Sequence, residues 1–233
     1  MTFLVVFACT AAAVFALKPA IAKAPAVWYA LAAVLVALYL AGTQGLLPAV
    51  VKGAVFLLLQ KGMLPVALFA VVMFIGVFSR ESRVRRHLAP IRAELSIIAC
   101  ILICGHVAVY GMSYVPRVLG AGALNPFVAA GLAVGVALVV LLAVLGVTSL
   151  ARVKARMSKR RWKSVQKWAY AFFALVYVHI VAMLLPSALS GGVVAVQGVA
   201  AYTALFGAYA VARVARAVVD GKRLPHEVGR KRL

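Results

Sequence analysis

Two of the four histidines in the 233-residue chain stand inside apolar runs: His106 in SIIACILICGHVAVYGM and His179 in WAYAFFALVYVHIVAML. An ionisable side chain at hydrocarbon depth is costly, so an intramembrane histidine marks a functional site by default. Neutral imidazole donates through one ring nitrogen and keeps the other as a lone-pair ligand, which suits it to bind a metal. Depth decides whether two such rings can share one metal. At a rise of 1.5 Å per residue, His106 lies about 24 Å from a helix start near Pro90, and His179 about 23 Å from one near Ser164. With both helices running the same way the imidazoles reach one level, and a planar macrocycle clamped by two axial histidines fits that arrangement. Two histidines making interhelical hydrogen bonds is the other reading of the same positions. Gly105 beside His106 would admit a ring plane close to the backbone, and is equally an ordinary packing residue of a membrane helix.

The remaining chemistry-bearing residues offer less. His87 and His226 lie in basic segments, where a solvated imidazole is expected. Cys100 and Cys104 are four apart on one helical face and could ligate a metal. No third soft ligand stands at their level, and a thiol in an apolar run behaves as a small hydrophobe. With Cys9 also inside an apolar run, no disulfide framework is implied. The four acids, Glu81, Glu94, Asp220 and Glu227, all sit at or beyond the ends of the apolar runs. A carboxylate relay for ion-coupled transport is therefore missing, as are a Ser-His-Asp set, a phosphate loop and a metalloprotease signature.

The elements that must position His106 and His179 are membrane helices. The chain is 66% apolar and 12% charged, against roughly half and a quarter in a soluble domain. Apolar runs fall at about 2 to 17, 27 to 47, 62 to 78, 91 to 112, 125 to 149, 165 to 186 and 192 to 212, each near the length a bilayer core requires. The fold class is thus an all-α polytopic bundle of about seven transmembrane helices. Residues 48–61 (PAVVKGAVFLLLQK) are apolar but short and lysine-punctuated, and read as an interfacial helix. Neither internal repeats nor a broken midplane helix is visible. The N-terminal run lacks the basic n-region of a signal peptide and reads as a retained first helix. Trp162 and Trp168 are expected to be interface anchors.

The net charge of +21 would suggest nucleic acid in a soluble protein, but no aromatic residues interleave with the basic ones to stack on bases. The basic residues instead fill the gaps between spans: two at Lys18 and Lys23, five from Arg80 to Arg92, eight from Arg152 to Lys167 and seven from Arg213 to Arg232. These share one side, and Lys52, Lys61 and Arg117 are left on the other. The positive-inside rule then expects the rich side in the cytoplasm, the N-terminus outside, the C-terminus inside, and lipid headgroups among the partners. The basic tail reads as a headgroup-bound end or a docking site for a cytoplasmic partner.

From about Gly62 to Leu185 the order of features resembles the ferric reductase-like transmembrane domain, and within it the haem b membrane subunit of the bacterial periplasmic methionine sulfoxide reductase system (the MsrQ type). The stretch RVRRHLAPIRAELSIIACILICGHVAVY is similar to the family helix that ends in a haem histidine. VTSLARVKARMSKRRWKSVQKWAYAFFALVYVHI carries its Thr-Ser, basic loop, Trp and late histidine. The resemblance implies residues 1–61 as accessory helices, 62–212 as the haem-binding domain and 213–233 as a basic tail. It further implies one haem b on His106 and His179 in the bacterial inner membrane. Electrons would enter from quinol or a flavin donor such as FMN and leave to an extracytoplasmic reductase, either a molybdenum enzyme or a flavoprotein.

The family has a further haem-associated histidine after the Trp, and Gln166 stands there in WKSVQKWAY. Gln166 lies 13 residues before His179, and Arg92 lies 14 before His106. Neither an amide nor a guanidinium is a usual iron ligand. On an ideal helix Gln166 also falls about 140° from the face of His179. Arg92, Gln166 and Lys167 are therefore candidates for holding the donor at the inner face. Arg92, Lys163 and Lys167 could also attract a haem propionate, and positive-inside topology explains them too. The departure at Gln166 weakens the assignment to methionine sulfoxide repair in particular. A non-redox bundle, either a transporter or an anchor or assembly subunit, is the alternative.

Overall fold

The computed structural model describes the backbone of residues 2–120 and 124–230, with side chains as far as Asp220. All regular structure among the described residues is helical: α1 (Thr2–Lys23), α2 (Pro25–Thr43), α3 (Ala49–Leu59), α4 (Met63–Ile75), α5 (Arg83–Leu88), a 3₁₀ turn (Ala89–Ile91), α6 (Arg92–Leu119), α7 (Pro126–Ser149), α8 (Ala151–Ala155), α9 (Lys159–Gln166), α10 (Trp168–Leu189) and α11 (Val193–Arg230). Pro25 and Pro126 open their helices, where the missing N–H costs nothing. Ser82 and Ser158 cap α5 and α9 by accepting from the amides of Arg85 and Arg161 at 3.2 and 3.3 Å. Seven stretches are long and apolar enough to cross a bilayer, and the protein is a multi-pass membrane protein.

The third crossing departs from expectation. Residues 48–61 do not form a separate surface helix leading to an unbroken span over 62–78. Instead α3 and α4 follow one another through a break at Gln60–Gly62, and Ala49–Ile75 together form a single stretch of membrane-crossing length. At 13 residues, α4 rises only about 20 Å and needs α3 to complete the crossing. Gly62 makes the break possible by adopting φ +64°, a left-handed conformation that costs other residues about 1–2 kcal/mol. A broken helix, which the sequence did not reveal, is thus part of this fold.

Burial concentrates on α4, where ten of thirteen residues are inaccessible, so α4 is the axis of the bundle. It packs against α1 and α6. Aromatic side chains complete the core beside it. Phe69 meets Phe172 at 5.1 Å, Phe173 stacks on Phe206 at 4.3 Å, and Tyr209 lies edge-on to Phe173 and Phe74. In α7 only Gly131 is buried, so that helix presents most of its surface to lipid. It pairs closely with α10, which packs on its other side against α11.

Candidate functional site

His106 projects from the middle of α6 toward the break in the third crossing. An unbroken helix would bond the Gln60 carbonyl to the amide four residues on. Here the left-handed turn at Gly62 releases it, and the His106 imidazole donates to it from Nδ1 at 2.8 Å. Non-helical backbone is tolerated at membrane depth only where its polar groups find partners in the protein, and His106 is that partner. A side chain on Gly62 would lie 3.1 Å from Ile103 and 3.8 Å from His106 Nδ1.

His179 is held in the same way by a different element. It projects from α10 toward α7 and donates from Nδ1 to the Gly131 carbonyl at 2.8 Å. Gly131 and Gly135 form a small-xxx-small pair that lets the two backbones approach. A Cβ on Gly131 would stand 2.8 Å from Met183 Sδ, and one on Gly135 would stand 3.4 Å from His179 Cε1.

A carbonyl can only accept, so each bond fixes the proton on Nδ1 and leaves Nε2 with its lone pair. This is the arrangement that orients an imidazole for metal ligation. Both rings are half-buried and lie within electrostatic range of each other. Their helices, α6 and α10, are not a closely packed pair: α6 packs on α2, α4 and α7, and α10 on α7 and α11. Packed helices sit about 8–10 Å apart, and a macrocycle between two imidazoles requires a wider separation. The residues present therefore fit a haem, with His106 and His179 able to hold it. Gly105 serves a different purpose from the one expected, because a Cβ there would meet Tyr39 and Val36 of α2 at 3.2 Å.

At the arginine-rich end of the bundle a cavity of about 240 Å³ is lined by Met73, Gly76, Arg80, Arg85, Arg92, Gln166, Ala169, Tyr170, Tyr209, Arg213 and Asp220. Arg92 and Gln166 are thus brought together, 14 and 13 residues before the two histidines, so both imidazoles stand about 20 Å above the same cavity. Lys167 and Lys163 are exposed and do not line it. Gln166 donates to Thr148 Oγ1 at 3.1 Å. A turn at Lys167 separates α9 from α10, and Lys167 itself keeps right-handed helical dihedrals. Four arginines and one carboxylate, Asp220, line the cavity, and Arg216 holds that carboxylate at 2.7 Å. Arg85 is spent on the Phe78 carbonyl and Arg213 on the Tyr170 hydroxyl, each at 2.9 Å. The buried Tyr209 hydroxyl has no partner among the described residues. The cavity therefore favours an anionic or carbonyl-bearing guest.

The other histidines stand apart. His87 is not simply solvated: its Nε2 lies 3.0 Å from the Phe15 carbonyl and its ring packs on Phe15 at 4.4 Å, tying α5 to α1. The side chain of His226 lies outside the described residues. Cys104 Sγ turns back on the Cys100 carbonyl at 3.1 Å, and Cys100 packs where a Gly146 Cβ would be 3.3 Å away. Trp162 donates to the Thr148 carbonyl at 3.0 Å under the Lys154 ammonium.

The sequence pattern of the family described as "Ferric reductase like transmembrane component" matches residues 61–177, half of the chain. The chain belongs to this family. The match opens at the break beside Gln60, contains His106 and ends two residues before His179. An uncharacterized protein of Treponema pallidum (strain Nichols) is 41% identical over 159 residues, covering 67% of this chain and 43% of its own length. This ferric reductase-like protein thus spans less than half of that relative. No solved structure matches it. The family is one of transmembrane components, in keeping with the seven crossings. Sequence reasoning missed Gln60, Gly131 and Gly135, which orient the imidazoles. The available signals were Gly62 within an apolar stretch and the spacing of GLAVG.

Proposed function

We propose that this ferric reductase-like protein carries one haem b between His106 and His179, and passes electrons across the bacterial inner membrane to an extracytoplasmic reductase. The observation that carries the reading is the pair of matched Nδ1–carbonyl bonds, from His106 to Gln60 and from His179 to Gly131. Each bond leaves Nε2 with a free lone pair on helices that are not a closely packed pair, as two axial ligands require. Bound there, the haem supplies a one-electron carrier that neither imidazole provides. The chain's own part is to hold the ring nitrogens in the ligating tautomer and to surround them with apolar helices that keep water out.

The cavity at Arg92 and Gln166 is the donor site in this reading, taking quinol or a flavin such as FMN, with the arginines donating hydrogen bonds to its carbonyl or phosphate oxygens. The basic end faces the cytoplasm, in keeping with the charge asymmetry. The acceptor in this reading is a molybdenum enzyme or a flavoprotein, the former by resemblance to the MsrQ type of the methionine sulfoxide system. The break in the third crossing is a feature also found in transporters, but here its freed carbonyl is taken by His106. An absorption spectrum of the purified protein tests the proposal. A Soret band with dithionite-sharpened α and β bands is expected, and a protein purified from haem-replete cells without them would overturn it.

A further inference from the structure

A second cavity, of about 320 Å³, lies between α2, α3 and α6 at the end of the bundle that is poor in charge. Most of its lining residues precede the stretch matched by the family. One wall is apolar, made by Phe56 and Val109, and the rest is rich in donors: Tyr39, Tyr110, Ser113 and Lys52. Tyr39 is fully inaccessible, yet its hydroxyl has no partner among the described residues. Leaving a buried hydroxyl unpaired costs about 1–3 kcal/mol, so such a group calls for a partner. The Lys52 ammonium rests 5.4 Å from the Phe56 ring centroid and forms no ion pair among the described residues. One cation and four hydroxyls, of which Thr43 already donates to the Leu40 carbonyl, with no carboxylate, make a site for a singly charged oxyanion.

We infer that this cavity binds the phosphodiester headgroup of a phospholipid, held by Lys52, Tyr39, Tyr110 and Ser113. The lipid source follows from the surroundings, since Val50, Val51 and Leu57 of α3 are exposed beside it and in a membrane crossing face acyl chains. The apolar wall suits the glycerol and first methylenes of a lipid better than a free ion. Basic pockets between membrane helices bind headgroups by the same chemistry. The bound lipid would brace α3 against α6 next to Gln60 and Tyr110, both of which touch His106. The inference rests on this cavity and not on the haem reading.

Native mass spectrometry of the full chain, released from phosphatidylglycerol nanodiscs, tests it. The wild type should retain one phospholipid after the bulk lipid is stripped. The double variant Tyr39→Phe, Lys52→Gln should retain about tenfold less or lower, as expected for losing a charge-assisted contact. Excess inorganic phosphate should not displace the lipid. Equal retention by both proteins, displacement by free phosphate, or a retained quinone in place of a phospholipid would each overturn the inference. Haem content measured on the same samples separates the two proposals, because loss of lipid with haem kept bears only on this one. Tyr39→Phe keeps the ring that packs on Phe56, and the wild-type measurement decides the matter even where the variant folds poorly.

Discussion

His179 donates from Nδ1 to the carbonyl of Gly131 at 2.8 Å, and a Cβ at that same residue would stand 2.8 Å from Met183 Sδ and 3.4 Å from Ala182 Cβ of α10. The bond and the close approach depend on each other. Without a side chain at Gly131 the helices meet, and only then is the carbonyl within reach of the ring.

Substituting Gly131 should accordingly loosen His179. Gly131→Ile places its branches against Met183 and Ala182; overpacking of this kind costs about 1–3 kcal/mol. Haem content per protein should fall, and the remaining bands should broaden. Gly131→Ala meets chiefly the flexible end of Met183, so pairing it with Met183→Ala should restore the spectrum. A normal spectrum in Gly131→Ile would contradict the positioning role.

His106→Ala and His179→Ala should each remove most of the haem while leaving the protein inserted. Insertion depends on apolar spans that neither change shortens. Pyridine haemochrome assays on equal amounts of membrane-extracted protein decide the matter, and full haem content in either variant would refute the ligand assignment.

At the other proposed ligand, His106, Gly62→Val should act chiefly through the backbone. A β-branched residue at φ +64° is strained by about 1–2 kcal/mol, and its side chain would press on Ile103. The expected result is a lower melting temperature together with an altered haem spectrum, since the Gln60 carbonyl shifts under His106. Gly62→Asn, which tolerates the left-handed region, should be milder. Equal effects from the two substitutions would show that strain is not the cause.

Orientation is open to a direct measurement. An alkaline phosphatase fused after Leu119 should be active and one fused after Met157 silent, because the segment from Arg152 to Lys167 carries eight basic residues and resists translocation. Reversed activities would turn the whole electron path around.

The arginine-lined cavity should not hold a second haem. Its lining offers no imidazole, and His87 is engaged with Phe15. The haem-to-protein ratio should be near one in the wild type. Gln166→His places an imidazole in that cavity beside Arg92 and is the change expected to raise the ratio. A wild-type ratio near two would show that an inner ligand set exists without it.

Much of this was legible in the residues themselves. Hydropathy and length determine seven crossings, because a bilayer admits only helices or closed barrels whose backbone bonds are internally satisfied. Counting the rise per residue from the basic boundaries leads to the expectation that His106 and His179 share one level. Other features are properties of contact between segments far apart in the chain. The freed carbonyl of Gln60 exists only because Gly62 turns left-handed where α6 presents His106. The Gly131 carbonyl is useful only because α10 lies against α7. The four arginines from Arg80 to Arg213 read along the chain as topology signals, and only packing gathers them around one cavity. Local pattern specifies which segments cross the membrane; which backbone group meets which ring is decided by how close two helices can come.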